Sequence, residues 1–168
     1  RKVRGVLISH GHEDHLGALP FLLKEIKAPI YSSKLVAGFI QDKFADYGGE
    51  IPKVNVFDPE RDVLTLGVFK VTPFRVSHSV PDGVGFAIDT PEGKIFHVPD
   101  YKFDWTPVDA RPFDVAKAAI LASGGTLAVA SDSIGATSSG YTESEKEIES
   151  RIELTVEKAK GQVFFTTI

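Results

Sequence analysis

Cysteine and methionine are both absent from the 168 residues. Without cysteine there is no disulfide framework and no thiolate ligand, so any metal would have to be held by imidazole and carboxylate. The same absence fits a reducing compartment, and the chain is expected to be cytoplasmic. No apolar run approaches the roughly 18 residues a membrane span needs, and no stretch is built like a secretory signal. A strong charge of one sign is lacking too. The net charge of −4 gives no overall field for a polyanion, although a basic channel on a mildly acidic protein would still suit one. There is no repeat, low-complexity tract or composition shift to mark a linker. With 42% hydrophobic and 25% charged residues, what remains is an ordinary globular chain, long enough for one domain with a core. It opens at Arg1 on the approach to a strand and stops at Ile168 just behind another, so a piece of a longer protein is expected.

One stretch stands out, Ser9-His10-Gly11-His12-Glu13-Asp14-His15. The apolar run Val6-Leu7-Ile8 leads into it and a helical pattern leads out, which places a polar cluster at the end of a buried strand. His10 and His12 are two residues apart, so on extended backbone they project to one side. Gly11 lets the chain turn tightly between them. Asp14 and His15 fall at the mouth of the next helix, where they can turn toward a second point. Imidazole and carboxylate both suit zinc, at about 2.0–2.2 Å. Four ligands split two and two would suit a pair of metals about 3.5–4 Å apart.

Residues 3–9 read as a strand and 16–27 as a helix, with apolar positions Leu16, Leu19, Leu22, Leu23 and Ile26 at three-four spacing. A short strand at 29–32 follows. Ser33 is placed to cap a helix over 34–47 that Gly48-Gly49 closes. This strand-helix alternation predicts an α/β fold. The pattern then turns to short strands at 53–58, 63–66, 69–77, 84–89 and 94–98, the last two joined by Pro91-Glu92-Gly93 as a hairpin. A helix is expected over 113–122 and a buried strand over 126–130. Thr142-Glu143-Ser144-Glu145 reads as a capping box for a helix to about residue 160. Val163-Phe164-Phe165-Thr166 reads as a last strand.

Further acids and histidines stand at strand ends: His78, Asp100 and Asp132. Loops converge at such edges in α/β proteins. Glu13 is expected to be solvated, His97 structural or exposed, Lys102 an ordinary surface lysine or a phosphate contact, and Trp105 a core residue.

These motifs together resemble the metallo-β-lactamase superfamily and, more closely, its ribonuclease J family in the β-CASP branch of nucleic-acid hydrolases. The first motif runs on through Leu16-Gly17-Ala18-Leu19-Pro20. Ser77-His78-Ser79-Val80-Pro81-Asp82-Gly83 is similar to the family's histidine motif. Asp100-Tyr101-Lys102-Phe103-Asp104 is similar to its aspartate motif, and Ser131-Asp132-Ser133 to the acidic motif that opens the β-CASP segment. One departure is Pro99, where the family usually has glycine. The resemblance implies an αββα sandwich, incomplete here because the first strands, the β-CASP insertion and the C-terminal part have no counterpart. Residues 1–168 would be a partial metallo-β-lactamase domain, with the β-CASP segment starting in about 126–168.

It further implies that His10, His12 and His78 hold one zinc, that Asp14 and His15 hold part of a second, and that Asp100 bridges them, with manganese as another possible occupant. Asp14 would orient the attacking water or take its proton. Asp132 would act on the reaction through a histidine beyond this chain. The implied activity is hydrolysis of RNA phosphodiesters by a metal-activated hydroxide, both endonucleolytic and 5′-to-3′ exonucleolytic on single-stranded RNA, in RNA processing and decay. The intact protein would be a homo-oligomer, and the piece alone inactive. Two other readings fit the early ligands: hydrolysis of an ester or thioester on the same fold, and a non-catalytic zinc-binding module.

Overall fold

The computed structural model describes residues 3–165. Four layers follow one another: helices, a small sheet, a larger sheet and a helix. The first sheet is parallel, in the order β1 (Val6–Leu7), β2 (Ile30–Ser32), β3 (Val54–Val56). The second runs β4 (Leu64–Leu66), β5 (Phe69–Arg75), β6 (Val84–Thr90), β7 (Gly93–Val98), β8 (Ala128–Ser131). It is antiparallel except for the β7–β8 pair, which is parallel.

Side-chain alternation explains the layering. On β2, Ile30 enters a core with Leu16, Leu19, Val36, Ile40 and Phe44 from the helices, whereas its neighbour Tyr31 faces the other sheet. On β6, Val84, Phe86 and Ile88 fill the space between the sheets, while Ala87 turns outward to Phe74, Phe96 and Phe113. That outer core is covered by helix α4 (Val115–Ala122). Successive strand residues point to opposite faces, so both sheets bury two sides and the incomplete αββα sandwich expected from the motifs is the architecture found.

Local departures from the sequence reading have local causes. The single helix expected over 16–27 is two: α1 (Glu13–Leu16), one turn ended by Gly17, and α2 (Leu19–Glu25), with Pro20 in its first turn. Pro20 has no N–H to continue the α1 ladder but suits a helix start. Helix α3 (Lys34–Asp46) begins at Ser33, yet the Ser33 hydroxyl donates to the Asp82 carbonyl (2.8 Å), and the capping acceptor is the Asp82 carboxylate, which takes the Leu35 N–H at 2.9 Å. Helix α5 (Glu145–Lys158) is capped by Ser144, not Thr142. β8 forms, but all its residues are exposed and not buried as expected, because it is a sheet edge with nothing packed on it among the described residues. Residues 163–165 form no strand, and Thr166 lies outside the described residues. Among the described residues, no helix is long and apolar enough to cross a membrane.

Candidate metal centre

The ends of β1, β5 and β7 lie at one edge of the sandwich, and the loops beyond them carry the acids and histidines singled out above. Ser9 ties this edge together, its carbonyl accepting the Val84 N–H at 2.9 Å. The segment after β5 brings His78 to the edge, and the segment after β7 brings Asp100. An isolated antiparallel bridge between Ser77 and Lys102 holds those two segments side by side.

Two groups of side chains result, His10, His12, His78 and Asp100, and then Asp14, His15 and Asp100; in each, the candidate ligand atoms lie within 4.8 Å of one another. In the first, His12 Nδ1 lies 3.1 Å from His10 Nε2 and 3.2 Å from His78 Nε2. Asp100 Oδ2 is 3.8 Å from His10 Nε2 and 3.6 Å from His78 Nε2. In the second, His15 Nε2 is 3.6 Å from both Asp14 Oδ2 and Asp100 Oδ1. Asp100 therefore gives one oxygen to each group.

The donor set fits cations. Two ligands at tetrahedral angles on one zinc, each about 2.0–2.1 Å away, stand about 3.3 Å apart, and the separations here bracket that value. Three imidazole nitrogens converging on one point beside a carboxylate suit a cation, since the single lone pair of His12 Nδ1 faces both His10 Nε2 and His78 Nε2. Burial pushes His10 down to about 4, helped by the neighbouring His15, His78 and His12 and opposed by Asp100. It is therefore neutral at physiological pH. Burial and His12 likewise lower His78, against Asp100, Asp132 and Glu145.

Supporting residues fix these rings. Ser9 Oγ stands 3.1 Å from His10 Nδ1 and so can hold the ring with Nε2 toward Asp100. Ser79 Oγ is 3.5 Å from His12 Nε2. Asp82, which takes up a left-handed conformation (φ 66°), locks the His78 loop to the start of α3. None of these three roles follows from the sequence alone; the serines flanking His10 and His78 are the available signal. Beside His78 opens a cavity of about 340 Å³, walled by Val80, Pro81, Pro107 and Val108 with Arg111 and Glu145 at its edge.

Other expectations divide. Asp132 belongs to neither ligand group; its carboxylate accepts the Ile134 N–H at 2.8 Å, and its charge reaches His78. His97 is exposed on β7, as expected. Glu13 is not merely solvated but pairs with Lys43. Lys102 is no free surface lysine: its ammonium is held by the Glu143 carbonyl and the Glu145 carboxylate. Trp105 is not in the core but 66% exposed, stacked on Phe103.

A two-sheet sandwich with paired histidine–aspartate groups at one edge defines a metallo-β-lactamase-type protein. The Beta-lactamase superfamily domain matches residues 1–131, and the chain belongs to that superfamily. Within it, the chain is similar to ribonuclease J. It is 37% identical over 173 residues to ribonuclease J of Thermus thermophilus, covering 99% of this chain and 30% of that protein. To ribonuclease J 1 of Streptococcus pyogenes it is 38% identical over 167 residues, with the same coverage of each. The Helicobacter pylori ribonuclease J is 35% identical, with 99% and 24% covered. The chain thus spans less than a third of these relatives' length, and the likeness drawn from the motifs extends over nearly all of it. The fold matches a metallo-β-lactamase of Cronobacter sakazakii (TM-score 0.54, 11% identity, 93% of this chain and 63% of that one). It also matches a protein of unknown function from Enterococcus faecalis (TM-score 0.59, 14% identity, 91% and 39%).

Proposed function

We propose that this chain is part of the catalytic domain of a zinc-dependent ribonuclease that hydrolyses single-stranded RNA in the cytoplasm, endonucleolytically and from the 5′ end. The intact protein would act as a homo-oligomer, and the β-CASP segment would begin near residue 126. The observation that carries the reading is Asp100, whose two carboxylate oxygens face two separate donor groups. His10, His12 and His78 are assigned to one ion, Asp14 and His15 to the other, and Asp100 to both. When bound there, zinc would acidify water and offset charge on phosphoryl oxygens. Asp14, 76% exposed at its side chain, is placed to orient a water or accept its proton. Asp132, at the end of β8, is assigned a supporting role through its charge on His78. RNA as substrate rests on the similarity to ribonuclease J.

Zinc titration with measured stoichiometry tests the ligand assignment. The chain should take up two equivalents, and His10→Ala and Asp14→Ala should each lose one or bind it at least tenfold more weakly. Uptake by both variants equal to the unsubstituted chain refutes the assignment. The full-length protein assayed on labelled single-stranded RNA beside a thioester decides the substrate class, and turnover of the thioester alone rejects the ribonuclease.

A further inference from the structure

Residues 99–112 form no regular helix or strand, yet the second residue of this loop, Asp100, is the aspartate that faces both donor groups. Apart from the histidines around Asp100, the hydrogen bonds that tie 100–106 to other segments run to Ser77 and to residues 143–145, among the described residues. The centre of that tie is Asp104, a carboxylate only 4% exposed. Its Oδ1 accepts the Thr106 N–H at 3.0 Å and its Oδ2 the Glu145 N–H at 2.8 Å. Lys102 Nζ stands 3.9 Å from Oδ2 and donates to the Glu143 carbonyl at 2.9 Å and to the Glu145 carboxylate. Ser144 Oγ donates to the Thr106 carbonyl at 2.9 Å. In the other direction, Lys102 N–H donates to the Ser77 carbonyl at 2.8 Å, one residue before His78.

We infer that Asp104 is a positioning residue: by clamping the start of α5 onto the loop behind Asp100, it holds Asp100 and His78 in the arrangement that faces the two donor groups. The helix has no buried residue of its own, so the clamp at its first turn is what attaches it. A buried carboxylate with both oxygens taken tolerates little displacement, because any move leaves an N–H or the charge unmatched. Docking of α5 and the shape of the metal centre are therefore one event. The inference rests on the metal-centre reading above.

The test uses the intact protein loaded with cobalt(II), whose visible spectrum reports ligand geometry, together with metal affinity by chelator competition. Asp104→Asn presents an amide NH2 to one of the two N–H donors. The variant should bind cobalt about tenfold more weakly or worse, the usual cost of losing a residue that orients a ligand, with altered visible bands and unchanged far-UV circular dichroism. Lys102→Met removes a second arm of the clamp while leaving Asp104 its two N–H partners, and should shift the spectrum in the same sense; it decides the matter if Asp104→Asn fails to fold. Folded variants with the parent spectrum and affinity overturn the inference and leave the metal centre standing. An unsubstituted protein that takes up no cobalt overturns both.

Discussion

Gly11 is constrained by a neighbour and not by its own backbone. Its φ is not positive, so the tight turn expected of it is not what requires glycine. A Cβ built there would stand 2.3 Å from a ring carbon of Phe39 on α3, because the helix presses its aromatic against the strand end carrying His10 and His12. Phe39 is 37% exposed, so its ring can turn aside, and Gly11→Ala should destabilise the fold by about 0.5–1.5 kcal/mol, the usual cost of an off-rotamer side chain, measured by denaturant unfolding. Adding Phe39→Leu should recover part of that loss. An alanine variant as stable as the parent would show that the ring yields freely. The sequence could place glycine between two ligands but could not show which distant side chain needed the room. That His10, His12 and His15 lie close together follows for the opposite reason: their spacing is local. Trp105 and Lys102 were misjudged because each is decided by contacts outside its own segment, Phe103 stacking for one and the α5 clamp for the other.

Helix α5 shows how much an element can depend on its first turn. Its apolar residues Ile148, Ile152, Leu154 and Val156 are between 37% and 48% exposed, so periodicity made the helix legible without saying what covers it. What holds it among the described residues is the Asp104 clamp, and that clamp is pH-dependent. Burial opposes the charge of Asp104, but hydrogen bonds from the Glu145 and Thr106 N–H groups, with the Ser144 hydroxyl and Lys102 nearby, outweigh it and lower the carboxyl below its ordinary value of 3.8. A carboxyl depressed in the folded state stabilises that state in full above its unfolded pKa and loses the contribution as pH falls through the folded one. The docked helix should therefore be indifferent to pH from neutrality down to about 4 and loosen below it. Trp105 is the single tryptophan and sits next to Asp104, so its fluorescence reports the event directly. Asp104→Asn should abolish the acid transition; a transition of unchanged size in that variant would place the titrating group elsewhere. The strands, by contrast, were legible as elements, because alternation and turn residues are local signals. The burial of β8 was not, since being an edge is a property of the sheet and not of the strand.

Across the whole molecule, the candidate centre joins parts that the chain keeps far apart. His10, His12, Asp14 and His15 come from the end of β1 and from α1 in the parallel-sheet half, while His78 and Asp100 come from the antiparallel sheet. No local pattern sets the distance between these halves; only the αββα stacking, with Val84 N–H bonded to the Ser9 carbonyl across the sheets, brings their edges together. A cation shared by both halves binds the folded arrangement and has no comparable site in the unfolded chain. Zinc at 100 times its dissociation constant should then add about 2.7 kcal/mol to the stability per site. For a chain of this size that raises the midpoint of thermal unfolding by roughly 5–10 °C, and a chelator should reverse the gain. The shift should grow with the logarithm of free zinc, as linkage requires. His78→Ala should forfeit most of the first site's share although His78 lies 63 or more residues from the first motif, because it removes one of that group's four donors, while the Asp14, His15 and Asp100 group stays intact. A zinc-induced shift of the same size in that variant would mean that His78 is no donor to the ion, and that Asp100 alone links the antiparallel sheet to the first motif.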